Sequence, residues 1–381
     1  MIPAIWPREE PALGRLLAFD VESGDLEDRR MDALPHLLFR GDLLVVNDAA
    51  TLPASLQGTT ANGDSIEVRL AGRGDDDREW AAALLGRGDW RTRTEERPLP
   101  PPVATGDVLR FGEDLAARVL RVSTLSPRLV DVTFDREGAR FWEALYRRGR
   151  PVQYSHLKGP LALWHVQTSY GARPWAVEAP SAGLPLTWQL LSDLRERGIA
   201  LASITHAAGL SSIGDACVDA VLPLPERYDI PAATVEAIER AHRERGRVIA
   251  VGTTVVRALE GSAAAHGGRL KAGPGITGLR IDAAFALRVV DGLLTGLHEP
   301  GTSHFALLSA FAREDRLKQI WIHAEETRYL GHEFGDSMLI LRQAPWVLGL
   351  QDVGATELAP AGARANRRFA AEGTGAPRSL A

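Results

Sequence analysis

RVIAVGTTVVRALE, residues 247–260, decides how this chain is read. The apolar, β-rich run Val248–Val251 stops at Gly252. The hydroxyls of Thr253 and Thr254 follow, and Val256 and Leu259 begin a helical pattern that also carries Arg257. A strand that ends at a glycine and hands over to a hydroxyl-flanked helix belongs to an α/β sheet. The first N–H groups of such a helix have no partner within it and sit at the positive end of its dipole. A carboxylate or phosphate is the natural guest there. Taken alone, the segment also reads as a tight turn with a hydroxyl cap contributing about 1 kcal/mol.

Working outward, the logic repeats. The apolar run 289–294 leads through LHEPGTS, residues 297–303, into a helical pattern at 305–311. This loop supplies His298, whose ordinary pKa lies near neutrality, together with Glu299, Thr302 and Ser303. A third loop, residues 179–187, runs into a helix at Trp188. Its small residues, Ala182 and Gly183 among them, let a ligand approach the backbone or simply make a rigid connection. SITH, residues 203–206, ends another expected strand at Thr205 and His206, and Phe334-Gly335-Asp336 precedes the last strand. Ligands of open α/β sheets bind beyond the carboxyl ends of the strands, so these loops are expected to converge on one crevice.

The surrounding texture fits. Helices are expected at 139–148, 187–197, 231–245, 254–265, 303–312 and 316–328. Strands are expected at 43–46, 199–205, 247–251, 278–281, 288–297 and 338–341. Between residues 53 and 134 the pattern changes to short alternating runs separated by turn signals such as Asn62-Gly63, the signature of an antiparallel sheet or small barrel. The expected fold is α/β, a mostly parallel sheet flanked by helices, with an inserted antiparallel β-barrel. The expected domains are residues 1–52 with 136–350, the insertion 53–135, and a mobile tail 351–381 of Ala, Gly, Arg and Pro without periodicity.

Composition narrows the function. A chain of 381 residues exceeds a single small core. No apolar run is long enough to cross a bilayer, and MIPAIWPREEP at the start is not a secretory signal. Cys217 is the only cysteine, which fits a reducing compartment, and the protein is read as cytoplasmic. The formal net charge of −5 gives no support to nucleic-acid binding, although Arg147, Arg148 and Arg150 form a local basic cluster. There is no G-x-G-x-x-G after a strand, no P-loop and no nucleophile elbow. Histidine spacing gives no zinc motif, so no metal is expected.

The chain resembles the S-adenosylmethionine:tRNA ribosyltransferase-isomerase family of the queuosine pathway. The resemblance rests on residues 43–56 (LLVVNDAATLPASL), 66–70, 167–170, 180–184, 248–260, 289–311 and 334–338, in order. It implies an α/β domain with an inserted β-barrel. It also implies that S-adenosylmethionine serves as a ribosyl donor and co-substrate, with the aminomethyl group of a 7-deazaguanine in tRNA as acceptor. Epoxyqueuosine would form, and adenine and methionine would leave. The implied substrate-binding residues are Asn47, Gln167, Tyr170, Ala182, Gly183 and Gly252, with Thr253, Thr254, Arg257, Thr302 and Ser303. His206, His298, Glu299 and Asp336 are the candidates for proton transfer, with no role fixed for each.

Several positions depart from the family pattern. Pro185 and Leu186 stand where a histidine and phenylalanine are expected, and Val221 and Leu224 where a histidine pair is expected. The stretch Ala207 to Leu210 is changed, as are Ala49 or Ala50, Ser55, Gly296, Leu297 and Leu330. RPVQYSH, residues 150–156, replaces a proline-rich stretch. The substitutions are mainly apolar, so a more hydrophobic or reshaped acceptor side is expected. Two further readings follow from them: a paralogue using S-adenosylmethionine with another, small-molecule acceptor, and a non-catalytic nucleoside- or RNA-binding protein.

Overall fold

The computed structural model describes residues 1–74 and 78–342; the expected tail, 351–381, lies outside them. The main sheet opens with β1 (Arg15–Asp20), β2 (Leu26–Arg30) and β3 (Leu43–Asn47). Six strands then form a barrel: β4 (Ser55–Thr59), β5 (Ser65–Arg73), β6 (Glu79–Leu85), β7 (Val108–Arg110), β8 (Ala116–Val122) and β9 (Leu129–Phe134). The first sheet resumes with β10 (Ala200–His206), β11 (Glu226–Ile230), β12 (Val248–Val251), β13 (Gly273–Thr277), β14 (Gly292–Gly296) and β15 (Ser337–Leu341).

The order across this nine-stranded sheet is β13-β11-β10-β3-β12-β14-β15-β1-β2. Strands β10, β3, β12 and β14 run parallel at its centre. Antiparallel pairings flank them, β11 on β10 and β15 on β14. The parallel sheet expected from the sequence is therefore the middle of a mixed one. The parallel centre sets the carboxyl ends Asn47, His206, Val251 and Gly296 along one edge. Because β15 is reversed, its first residue, Ser337, pairs with Gly296 at that same edge.

Alternation along each central strand fills both faces. Val45, Val248, Ala250 and Leu293 pack with residues of α3 (Ala232–Arg243), α4 (Thr253–Ala265), α5 (Ser303–Leu308) and α6 (Glu314–Glu326). Leu44, Val46, Ile249, Val251 and Leu294 pack on the other face against Leu190, Leu191 and Leu194 of α2 (Trp188–Glu196) and against Met31 and Leu34. A helix buried all round belongs at the centre of a fold, and α4 is buried continuously from Val255 to Ala263. Its Glu260 carboxylate accepts the N–H groups of Arg288, Val289 and Val290 at 2.9–3.1 Å. That contact fixes the approach to β14, although burial pushes the carboxyl upward from its ordinary value. At the opposite edge of the sheet, below β3 and β12, buried Asp42 accepts from Arg247 Nη2 at 2.6 Å and from Arg247 N at 2.9 Å.

The barrel closes in the order β8-β9-β6-β5-β4-β7. Leu56, Val68, Leu109, Val119 and Val132 fill it, and α1 (Gly138–Arg148) lays Phe141 and Leu145 against it. Leu210, Ile213, Val218 and Leu222, from beyond β10, join the same core. Arg128 adds a polar tie, donating to the carbonyl oxygens of Thr94 (3.0 Å), Ile213 (3.1 Å), Gly214 (3.0 Å) and Arg97 (2.6 Å).

Two expectations change. The strand foreseen at 278–281 lies at Gly273–Thr277 instead, in a GPGIT run that sequence propensity disfavours. It forms because Gly275 pairs with Tyr228 of β11, whose ring occupies the space of a glycine side chain: a Cβ there would fall 2.4 Å from the ring. Strands β1, β2 and β11 were not foreseen; LEDRR of β2 carries no apolar alternation and lies on the sheet's outer border. Among the described residues no helix is long and apolar enough to cross a membrane.

Candidate active site

Gly252 takes φ 90° and ψ 151°, a conformation suited to glycine, and donates its N–H to Leu294 O at 2.8 Å. The chain thereby leaves β12 sharply and starts α4 at the sheet edge. No side chain caps this helix start. Thr253 is buried and Thr254 half-buried. Asn47 ties the neighbouring strand end to the turn. Its Oδ1 accepts from His206 N (2.9 Å) and Ala49 N (3.1 Å), and its Nδ2 donates to His206 O (3.0 Å) and Thr254 Oγ1 (3.4 Å).

A row of buried polar groups follows along the edge. The His206 ring is fully buried, with Nε2 at 3.3 Å from Glu226 Oε2 but neither ring nitrogen in hydrogen-bonding geometry. Burial pulls its pKa down to about 4 against the pull of Glu226, so the imidazole is neutral at pH 7. Glu226 also pairs with Arg257 Nη1 and accepts from Gly209 N at 2.8 Å. Arg257 donates Nε to Leu279 O at 3.3 Å, and its Nη2 is buried without a partner among the described residues. His304 lies in the field of Arg257 and Glu226, and burial lowers its pKa first. His298 stacks on His304 with centroids 4.9 Å apart and shares a 2.8 Å hydrogen bond with Thr295 Oγ1. Burial, then His304, brings His298 to about 3.

A cavity of about 220 Å³ adjoins this row on the β14–β15 side. Arg8, Gln167, Ser181, Ala182, Pro185, Gly296, His332, Glu333 and Asp336 line it. It meets the α4 turn through Ala182, whose Cβ lies 3.5 Å from the position a Cβ on Gly252 would take. The sequence-derived residues thus gather at one edge, but in two neighbouring groups. Gln167, Ala182 and Asp336 face the cavity. Buried His206 and Arg257 and half-buried His298 form the row beside it.

Some candidates have structural employment. The carboxylate of Asp336 accepts from Arg8 Nη2 (2.5 Å), Arg15 N (2.9 Å) and Leu330 N (2.8 Å). With its oxygens so engaged it is poorly placed as a base and well placed as an anchor for its turn. Thr302 caps α5, accepting from Phe305 N at 3.2 Å and donating to Glu299 O at 2.8 Å. Glu299 and Ser303 are exposed. Gln167 brackets Thr51, accepting its N–H at 3.0 Å and donating to its carbonyl at 2.9 Å. Gly183 leaves room for Tyr170 rather than for a ligand: a Cβ there would lie 2.0 Å from the tyrosine oxygen. Burial raises the Tyr170 hydroxyl's pKa.

Sequence reasoning missed Glu226 and His304, which complete the row, and Arg8, which reaches the cavity from the start of the chain. It also missed a cluster at the cavity's rim. His156, His332 and Glu333 offer ligand atoms that all lie within 4.8 Å of one another. Only His332-Glu333 is local in sequence, so no spacing motif exists to be read. Of the departures, Pro185 and Gly296 face the cavity. Leu210 and Leu224 pack with the barrel core, and Val221 is on the surface.

Comparison with known proteins decides the family. The queuosine biosynthesis protein family matches residues 3–340. This chain belongs to that family. A relative from Gloeobacter violaceus named S-adenosylmethionine:tRNA ribosyltransferase-isomerase is 37% identical over 88% of this chain and 91% of its own. One of the same name from Moorella thermoacetica is 35% identical over 88% of this chain and 95% of its own. A crystal structure of an S-adenosylmethionine tRNA ribosyltransferase from Thermotoga maritima, 26% identical, aligns with a TM-score of 0.49 over 89% of this chain and 96% of that one.

Proposed function

We propose that this queuosine-family enzyme transfers and isomerises the ribosyl moiety of S-adenosylmethionine onto the aminomethyl group of a 7-deazaguanine in tRNA. Epoxyqueuosine forms, and adenine and methionine are released. The observation that carries the reading is the set of buried polar atoms at the sheet edge without hydrogen-bond partners among the described residues: both ring nitrogens of His206 and Nη2 of Arg257. Such groups cost about 1–3 kcal/mol each when left unpaired, and a nucleoside with a carboxylate tail supplies hydrogen-bonding partners for them. The residues present fit that ligand. The bare start of α4, with Thr253 and Thr254, suits the methionine carboxylate, and Arg257 Nη2 offers a further charge-assisted bond.

S-adenosylmethionine, when bound, supplies a sulfonium that acidifies the adjacent C5′ protons. The chain's own part is proton handling and positioning. His206 and His298 are neutral at pH 7, so each ring keeps a lone pair for a proton, while the burial that lowers their pKa values makes them weaker bases than a free imidazole. Arg257 and Glu226 place opposite charges beside His206, and Thr295 orients His298. Of the site residues the sequence suggested, these two histidines are the proton-transfer candidates the geometry favours over Glu299 and Asp336. Residues 53–135 act as the inserted barrel unit, and tRNA is the partner. A cytoplasmic location goes with that substrate.

The test is release of adenine and methionine from S-adenosylmethionine by the purified protein. It is run with and without tRNA carrying the 7-aminomethyl base. Release that requires this tRNA supports the proposal. Release with a different acceptor supports a paralogue, the reading favoured by Pro185 and Gly296 in the cavity wall. Binding without release under every condition defeats both.

A further inference from the structure

The rim cluster is not used by the reaction above. The geometry points to a binding site for a single divalent transition-metal ion, of which Zn²⁺ is the type, held by His156, His332 and Glu333 at the cavity wall.

Two imidazoles and a carboxylate form a donor set that zinc sites use repeatedly. The spacing fits. Ligand atoms about 2.0–2.2 Å from a tetrahedral ion stand roughly 3.3 Å from one another, and His156 Nε2 lies 3.3 Å from Glu333 Oε2. The His156 and His332 ring centroids are 4.3 Å apart, and all the offered atoms fall within 4.8 Å. Modest side-chain rotation closes the remainder. A plain ion pair explains the cluster less well. His156 Nε2 is buried, yet it makes no hydrogen bond of acceptable geometry with the carboxylate beside it. Among the described residues no other three His, Cys, Asp or Glu side chains meet this spacing.

The backbone presents the ligands deliberately. Successive side chains of an extended chain point to opposite faces. His332 instead has φ +66°, a left-handed value that non-glycine residues seldom adopt, and it breaks that alternation so that His332 and Glu333 converge. The turn is held rigidly, with Gly335 N donating to His332 O at 2.9 Å and Asp336 clamping Leu330 N. Further acidic groups lie near it: Glu333 acts electrostatically on Glu178, and Glu299 on His332. Three protein ligands leave one tetrahedral position for water or a ligand atom, and His332 and Glu333 line the cavity.

The test is direct binding to the full chain, stripped with a chelator and titrated with ZnCl₂ in a calorimeter. One equivalent should bind with a Kd below about 10 μM, and His156→Ala and Glu333→Gln should each weaken it by about tenfold or more. His36→Ala, at an exposed histidine that does not line the cavity, should leave it unchanged. Circular dichroism checks that each variant is folded, and Glu333→Gln, which keeps shape, serves if His156→Ala is not. Co²⁺ added in place of Zn²⁺ should give the visible absorption of a low-symmetry site in the parent protein alone. Weaker binding by the parent protein, or binding that survives in every folded ligand variant, overturns the proposal.

Discussion

At the residue scale, neutral buried imidazoles have a measurable consequence. The folded-state pKa values of His206 and His298, about 4 and about 3, lie below the ordinary 6.5. The unfolded chain therefore takes up protons first as pH falls. Above about pH 6.5 their burial carries no protonation cost; below it the fold is progressively destabilised, down to about pH 4 for His206 and about pH 3 for His298. His206→Gln should flatten this acid limb, which calorimetric Tm values from about pH 7 to 4 would reveal. Thr254→Val removes a hydroxyl beside the α4 start and should weaken S-adenosylmethionine binding by about 1–2 kcal/mol. Unchanged affinity by calorimetry would mean that the hydroxyl only serves Asn47. Gly183→Ala forces a methyl against the Tyr170 oxygen and should cost about 1–3 kcal/mol in denaturant unfolding.

At the scale of elements, what the sequence disclosed was what local chemistry controls. The strand-to-helix passage at Gly252 was legible because an apolar run, a glycine and two hydroxyls leave few alternatives. So was the barrel, through alternation and turn residues. The strand at Gly273–Thr277 was not, since its stability comes from the Tyr228 ring across the sheet rather than from its own residues. The site was half legible. His206 and His298 announced themselves at strand ends, whereas Glu226, His304 and His156 gained meaning only through long-range packing. Thr302 carried the same outward signal as Thr254 and turned out to cap α5. Glu260 shows how one side chain can fix an element's position: Glu260→Gln should destabilise the fold by about 2–3 kcal/mol, read as a lower urea midpoint. A midpoint equal to the parent's would show that the 288–290 segment is held otherwise.

At the scale of the whole molecule, the barrel and the sheet share a boundary that is stitched rather than hinged. Residues 210–222 leave β10 and enter the barrel core before returning to β11. Arg128 secures both sides through four carbonyl oxygens. The two parts should melt in a single calorimetric transition, and Arg128→Ala should lower stability by about 3 kcal/mol; two separated transitions would contradict this. Asp42 and Arg247 lie at the far edge of the sheet, a strand length of about 16 Å from the candidate site. Genetic variants at Asp42 would therefore thin the cell's supply of enzyme without slowing the molecules that survive. An assay that scores only how much tRNA is modified would mistake such an abundance defect for a catalytic one.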